Sequence, residues 1–560
     1  MTCNHATDTD CTGEGGQVHL LTAALVFALA FALYVATCAP GVVWGDSAKL
    51  ATMTSPLKLT VEAGCHTLRN AVGVVFNLVP IGDVAYRQNL MSAFFGALAC
   101  ALTFLLARRL TRVATGCRAG HHTTSDDTTG DEELTSVAAG VCAAAALAVS
   151  HIFWHLSVVT ESYTLFVSLL AGIWLLLLRW REGGGAVNLR LAGILLGASY
   201  MNSVLMIGLT PAIVLFIWLH WRRRHEGAVV ADASRAVGES PRTPQGARSP
   251  RLAPALAVFF AMIVLGYAPM ICLFLGMLRT ETFSSLIGLT FDWRYSGSLF
   301  VRQPLTCAKE CAKYAAFLFY QFPIAGFVLG CTGIVVSARR DWRTFVSLVL
   351  TFLPIVLFTS TYMEQRRYFI MVGSFWVFAL WSGFGAAWAL ERAARAGRGA
   401  RRAMLLATVM TVAVAAIPVA LYYNVLRICA WSGVKPGFGA RRLVYRDNER
   451  FFLVPDKRGD YGAERFAREA FAVVPDGAII VADFTPGAVL NYFQSVRGVR
   501  PDVAVVPLEG RSIVEYIDRK VSSTPLFIVG DHPAYKEDDI RVRYDLLRVG
   551  PLYQVVPKVR

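Results

Sequence analysis

The sequence predicts an α-helical polytopic membrane protein of about eleven transmembrane helices that ends in a soluble α/β domain. Three observations predict it. Only 17% of the 560 residues are charged, against roughly 25% in a soluble chain. Apolar runs long enough to span a bilayer recur through residues 1–430, and mean hydropathy is +0.48. After residue 430 the texture becomes that of an ordinary globular domain. The domains are therefore read as 1–430 in the membrane and 431–560 as a soluble α/β unit on the outer face.

The expected spans are 18–38, 88–107, 134–150, 156–178, 189–203, 204–221, 253–277, 313–336, 343–360, 368–390 and 403–424. Residues 1–17 are polar and carry acids without a basic start, so the first run reads as a span and not as a cleaved leader. The stretch 189–221 reads as two short crossings that turn at Asn202-Ser203, because both of its flanks are basic. Orientation follows from Lys and Arg. With the N-terminus inside, the inner loops hold Arg108-Arg109, Arg179 and Arg181, Arg222 to Arg224, Arg339-Arg340 and the cluster Arg392 to Arg402. That is roughly twenty basic residues inside against about ten outside. The loops 39–87, 278–312 and 361–367 and the C-terminal domain then face outward. In that domain β-rich runs at 477–482, 503–506 and 525–529 alternate with helical patterns at 463–472, 487–495 and 513–521. This is the signature of a parallel sheet.

The net charge of +15 lies largely in short loops between apolar runs, where it sets topology. Nucleic-acid binding is excluded on that ground. The twelve cysteines form no CxxC pair and no zinc pattern, and no phosphate-binding glycine motif exists.

Four places could carry chemistry. Asp46 comes about eight residues after the first span, where an acid could serve as general base beside a membrane-borne donor; an N-cap of a helix from Ser47 explains it as well. Glu161 lies at the outer end of an apolar helix, where an acid faces a polar cavity or a partner. Arg366 and Arg367 suit a phosphate or, equally, a lipid headgroup. Asp292 and Arg294, set among Phe291, Trp293 and Tyr295, suit a sugar or an interfacial aromatic belt.

Trp44-Gly45-Asp46-Ser47, followed by Leu78-Val79-Pro80-Ile81-Gly82-Asp83-Val84-Ala85-Tyr86-Arg87-Gln88-Asn89, resembles a bacterial multi-span family long catalogued as a domain of unknown function. That family is related to the endoplasmic-reticulum O-mannosyltransferase of receptor IPT domains. The resemblance continues through Trp154 to Tyr163 and, near the C-terminus, through Tyr492-Phe493-Gln494 to Arg500-Pro501-Asp502-Val503. It implies a GT-C glycosyltransferase fold, with Asp46 as the base and Glu161 as the second acid. It also implies a polyprenyl-phosphate sugar as donor, mannose being one candidate. Substrate contact then falls to Lys49, His66, Arg69, Asn202, Asp292, Arg294, Arg366 and Arg367. Three positions depart from the family. Lys49 stands where many members carry Glu, Gly64 to Asn70 replaces a His-Pro-Pro-Gly-Tyr-Pro stretch and keeps only His66, and Ser203 stands where a histidine is frequent.

The expected function is transfer of a sugar, with inversion, from a polyprenyl-phosphate carrier to a protein or glycan acceptor on the outer face of a bacterial inner membrane. Partners are the lipid-linked donor, the acceptor and membrane lipids. No cofactor is required by any motif, and a divalent metal has no ligand cluster in its favour. The alternatives are a lipid-linked sugar flippase and a non-catalytic pseudoenzyme whose soluble domain works alone.

Overall fold

The computed structural model describes residues 14–61, 66–116, 126–236, 252–291, 303–362, 367–396, 400–435, 442–508, 512–530 and 532–558. Among them seven helices are long and apolar enough to cross a bilayer: Gln17–Ala36, Val84–Arg112, Tyr163–Arg181, Leu252–Met277, Trp342–Thr361, Tyr368–Arg395 and Arg401–Ser432. Two more apolar stretches are broken helices. Glu132–Ala148 and His151–Ser157 meet at 70°, and Pro304–Gln321 and Ala325–Arg340 meet at 114°. Ala186–Tyr200 and Leu205–Trp221 are shorter apolar helices on either side of the turn expected at Asn202-Ser203. The protein is an integral, multi-pass membrane protein.

Two expected spans need correction. The run 313–336 is not one helix: it breaks at Phe322-Pro323-Ile324, where proline lacks an amide donor and Ile324 takes φ 50°. The run 156–178 starts late, because His151–Ser157 belongs to the preceding broken pair and Val158 to Ser162 form a non-helical link. Glu161 sits in that link and not inside a span.

The chain divides into two compact units. The first comprises Met1–Ala32, Phe95–Phe153 and Leu165–Ala420. Its helices approach closely through small residues, as helices do where lipid is as apolar as the side chains. A Cβ on Gly197 would overlap the Ile263 carbonyl, and one on Gly266 the Ile194 carbonyl. Several arginines of the basic loops are held by acids. Arg181 pairs with Asp341 at 2.7 Å, Arg108 with Glu133 at 3.1 Å, and Arg340 with Glu391 through two nitrogens.

The second unit comprises Leu33–Phe94, Trp154–Thr164 and Leu421–Arg560. Its sheet has five strands in the order β2-β1-β3-β5-β4, with β1 Ile479–Ala482, β2 Ala504–Pro507, β3 Leu526–Ile528, β4 Tyr544–Val549 and β5 Leu552–Pro557. β1 pairs parallel with β2 and β3, as the βα alternation predicts. The antiparallel hairpin β4–β5 extends the sheet beyond β3. It turns through Gly550-Pro551, with Gly550 at φ 59°, a two-residue loop that places glycine where φ is positive.

The core of this unit is not confined to the C-terminal residues. Val42, Trp44, Ala48, Ala51 and Ala85 of the first loop are buried in one apolar cluster with Phe466, Ile480, Val489, Tyr492 and Ile528.

Candidate active site in the first loop

The first loop is held by the polar residues of its own motif. Asn89 donates from Nδ2 to the carbonyls of Ala39 and Gly41, both at 3.0 Å, and its Oδ1 accepts from Thr160 Oγ1 at 2.6 Å. Trp154 Nε1 donates to Thr37 Oγ1 at 2.8 Å. Gln88 Nε2 donates to the Gly73 carbonyl and to Asn77 Oδ1, each at 2.7 Å. One helix start therefore fixes three strands of loop. The amide nitrogens of Asn89 and Gln88 and the indole of Trp154 are thus paired, which is what lets such polar groups be buried.

Those anchors deliver Trp44-Gly45-Asp46. Trp44 packs against Phe466 with ring centroids 5.3 Å apart. Gly45 takes φ 71° and ψ −123°, a conformation open to glycine and costly for a residue with a Cβ. The chain turns there into the short helix Asp46–Thr52. Gly45 is thus the cap position, and Asp46 stands in the first turn instead of capping from outside. Ser47, Ala48, Leu50 and Ala51 are its buried face. Asp46 and Lys49, three residues apart, share the half-buried flank. An acid in a first turn and a base in a last turn both suit the helix dipole.

The helix Thr67–Asn77 brings the next two residues. His66 precedes it in a left-handed conformation, φ 49°, and its Nε2 lies 3.3 Å from Ser162 Oγ. Arg69 is fully buried, 0% exposed. Its Nη1 donates to the Leu50 carbonyl at 3.1 Å, so it is tied to the helix that carries Asp46. Among the described residues, its Nε and Nη2 have no hydrogen-bond partner. Glu161, 6% exposed, is the electrostatic partner of Arg69. Its backbone amide donates to Ser92 Oγ at 3.2 Å.

Burial pushes the Glu161 carboxyl up to about 8, and the nearby positive charge of Arg69 only partly opposes this. Burial lowers Arg69 to about 9, which leaves it a cation at neutral pH. Burial thus favours the neutral form of the Glu161 carboxyl beside the Arg69 guanidinium. The raised value stabilises the fold fully below about 4.5, and that contribution is lost as pH rises through about 8. Glu161→Gln should flatten the fall in melting temperature between pH 5 and 8. Parallel melting curves for variant and parent would show that Glu161 does not titrate in this range.

Asp46, Lys49, His66, Arg69 and Glu161 thus belong to one unit and form one linked constellation. Asn202 belongs to the other unit, where it is buried in the turn after Ala186–Tyr200. Arg367 opens a short helix, Arg367–Ile370. Asp292, Arg294 and Arg366 lie outside the described residues. Sequence reasoning quoted Asp83, Asn89 and Tyr492 as motif letters without roles. The signal for Asp83 was available: Asp three residues before Tyr86, at a helix start, is a capping pattern. Its Oδ1 accepts from the Tyr86 amide at 2.9 Å.

Residues 46–226 match the family model described as Protein O-mannosyl-transferase TMEM260 N-terminal domain. The mouse (Mus musculus) Protein O-mannosyl-transferase TMEM260 is 29% identical over 151 residues, which are 26% of this chain and 18% of that protein. The match thus spans less than a fifth of the curated relative. ArnT from Cupriavidus metallidurans, in a crystal structure bound to undecaprenyl phosphate, superposes with TM-score 0.51 at 14% identity over 98% of this chain and 99% of that chain. Over residues 46–226 the chain resembles this O-mannosyltransferase family, and the described residues share the fold of ArnT. Its apo ArnT counterpart gives TM-score 0.50 at 12% identity, over 96% and 98% of the two chains. The GT-C-like fold accordingly runs through almost the whole chain, while the sequence kinship is concentrated in the stretch that begins at Asp46.

Proposed function

We propose that the protein is a membrane glycosyltransferase that moves a sugar from a polyprenyl-phosphate carrier to a protein or glycan acceptor. The observation that carries the reading is Arg69: a buried cation with two nitrogens that have no hydrogen-bond partner among the described residues, bonded to the helix of Asp46 and paired electrostatically with Glu161. An unsatisfied buried guanidinium is costly, and its free Nε–Nη2 edge has the fork geometry that suits a phosphate. The likeness to ArnT supports the fold, and the printed name of the mouse relative puts mannose first among the sugars to try.

In this reading the acceptor hydroxyl attacks the anomeric carbon from the face opposite the phosphate. The carbon–oxygen bond to phosphate breaks, the bond to the acceptor forms, and configuration inverts. Asp46 takes the hydroxyl proton. Arg69, with Lys49, stabilises the departing polyprenyl phosphate, and such fixed charge is a large part of the barrier lowering in group transfer. Glu161, whose burial favours the protonated carboxyl, donates a hydrogen bond to the substrate and does not act as a second base. His66 holds the link that carries Glu161. The site works on the outer face of the membrane, the periplasmic face if the chain is bacterial. No step is assigned to a metal.

The test is to incubate the purified protein with radiolabelled polyprenyl-phosphate sugars, mannose first. Time-dependent release of polyprenyl phosphate is expected. Absence of release across a panel of hexose and aminosugar donors would sink the reading.

A further inference from the structure

The helix that carries Asp46 has seven residues, too few to hold itself in water. It packs on a helix at the far end of the chain, Phe484–Arg497. Ala48 and Ala51 give it a flat, small-residue face, and both lie in the apolar cluster that includes Val489, Tyr492 and Phe493. The C-terminal end of Phe484–Arg497 is in turn fastened to the first loop. Tyr492, 0% exposed, donates its hydroxyl hydrogen to Asp83 Oδ2 at 2.9 Å, and its hydroxyl oxygen accepts from the Ala85 amide at 3.0 Å. Arg497 Nη2 donates to Asp83 Oδ2 at 2.6 Å. Its Nη1 donates to Glu464 Oε1 at 3.1 Å, and its guanidinium lies 4.5 Å from the Phe493 ring centre. Asp83 also caps the helix Val84–Gly116. One carboxylate is therefore shared by a membrane helix and by the helix on which Asp46 rides.

We propose that Tyr492 and Arg497 are positioning residues: by clasping Asp83 they hold Phe484–Arg497 in the register that seats the Asp46 helix. The α/β domain is then a bracket for the base and not only a landing place for acceptor. The clasp oxygens and nitrogens are all paired, so removing one hydroxyl leaves the Ala85 amide orphaned and loosens the seat. Displacement of a catalytic group by about 1 Å costs roughly a hundredfold in rate. The consequence for turnover rests on the transferase reading; the mechanical coupling does not.

The test uses the full chain with Tyr492→Phe and, separately, Arg497→Gln, so that failure of one variant to fold leaves the other. Hydrogen exchange of the amides of residues 47–52 is expected to speed up at least tenfold while β1 keeps its protection. The kcat of the folded protein should fall by about 10- to 100-fold with donor KM unchanged. Unchanged exchange in 47–52 overturns the proposal. So does faster exchange with unchanged kcat, the result of a clasp that serves stability alone. A parent without turnover would sink the transferase reading, and the exchange measurement would still decide whether the clasp seats the Asp46 helix.

Discussion

Asp46→Asn is expected to reduce transfer by about 10²- to 10⁴-fold and to leave the protein folded. The substitution keeps the shape of the side chain and removes its negative charge and its capacity to take a proton. Asp46 lies on the half-buried flank of its helix, so no core contact is lost. The loss of a first-turn negative charge costs about 0.3–1 kcal/mol. Donor binding should persist, because Arg69 and Lys49 are untouched, so the defect should fall on kcat and not on KM. The measurement is release of labelled polyprenyl phosphate at saturating donor, with a melting curve on the same preparation. Equal rates in variant and parent would remove Asp46 from the base role. Equal rates combined with a lower melting temperature would instead return it to a structural part.

Residues 431–560 expressed alone are expected to lack a cooperative melt. By composition this stretch reads as an independent domain, which would suit a pseudoenzyme with a self-sufficient partner-binding module. The core argues otherwise. Val42, Trp44, Ala48, Ala51 and Ala85 close one side of the apolar cluster, and all five would be missing. A buried tryptophan covers roughly 150–250 Å², worth about 4–6 kcal/mol at 25 cal/mol per Å². Against a total stability of about 5–15 kcal/mol, loss of Trp44 alone takes a large share. The fragment would also leave Tyr492 and Arg497 without Asp83. Circular dichroism melting and dye binding to exposed apolar surface would test this. A sharp, reversible melt from the fragment would show that the first loop is dispensable to the domain.

The apolar helices and the parallel strands were legible because each is local. Hydropathy over about 20 residues needs no partner to be read, and β-rich runs alternating with helical ones report a sheet directly. The break at Pro323 was in principle visible, yet the apolar run on both sides masked it. The β4–β5 hairpin was missed although Gly550-Pro551 sits between two alternating runs. The long-range partners of Asp83, Asn89 and Arg69 were not legible. Each depends on atoms far away in sequence: Asp83 on Tyr492, Asn89 on Thr160, Arg69 on Leu50 and Glu161. A motif marks such residues without saying what they hold.

The apolar cluster that joins the first loop to the strands also counts membrane crossings. A single packed core cannot lie on both sides of a bilayer. Residues 33–94, 154–164 and 421–560 share one compact unit, so the chain must return to the same side each time it leaves. Between Phe94 and Trp154 the crossings are even, as Val84–Arg112 and the bent pair from Glu132 require. Between Thr164 and Leu421 they must again be even. With every other apolar stretch crossing once, Ala186–Tyr200 and Leu205–Trp221 must cross separately. If they formed one crossing, the strands would be stranded on the far side from Trp44. Five buried side chains of the first loop thus tie the number of crossings to the packing of the strands.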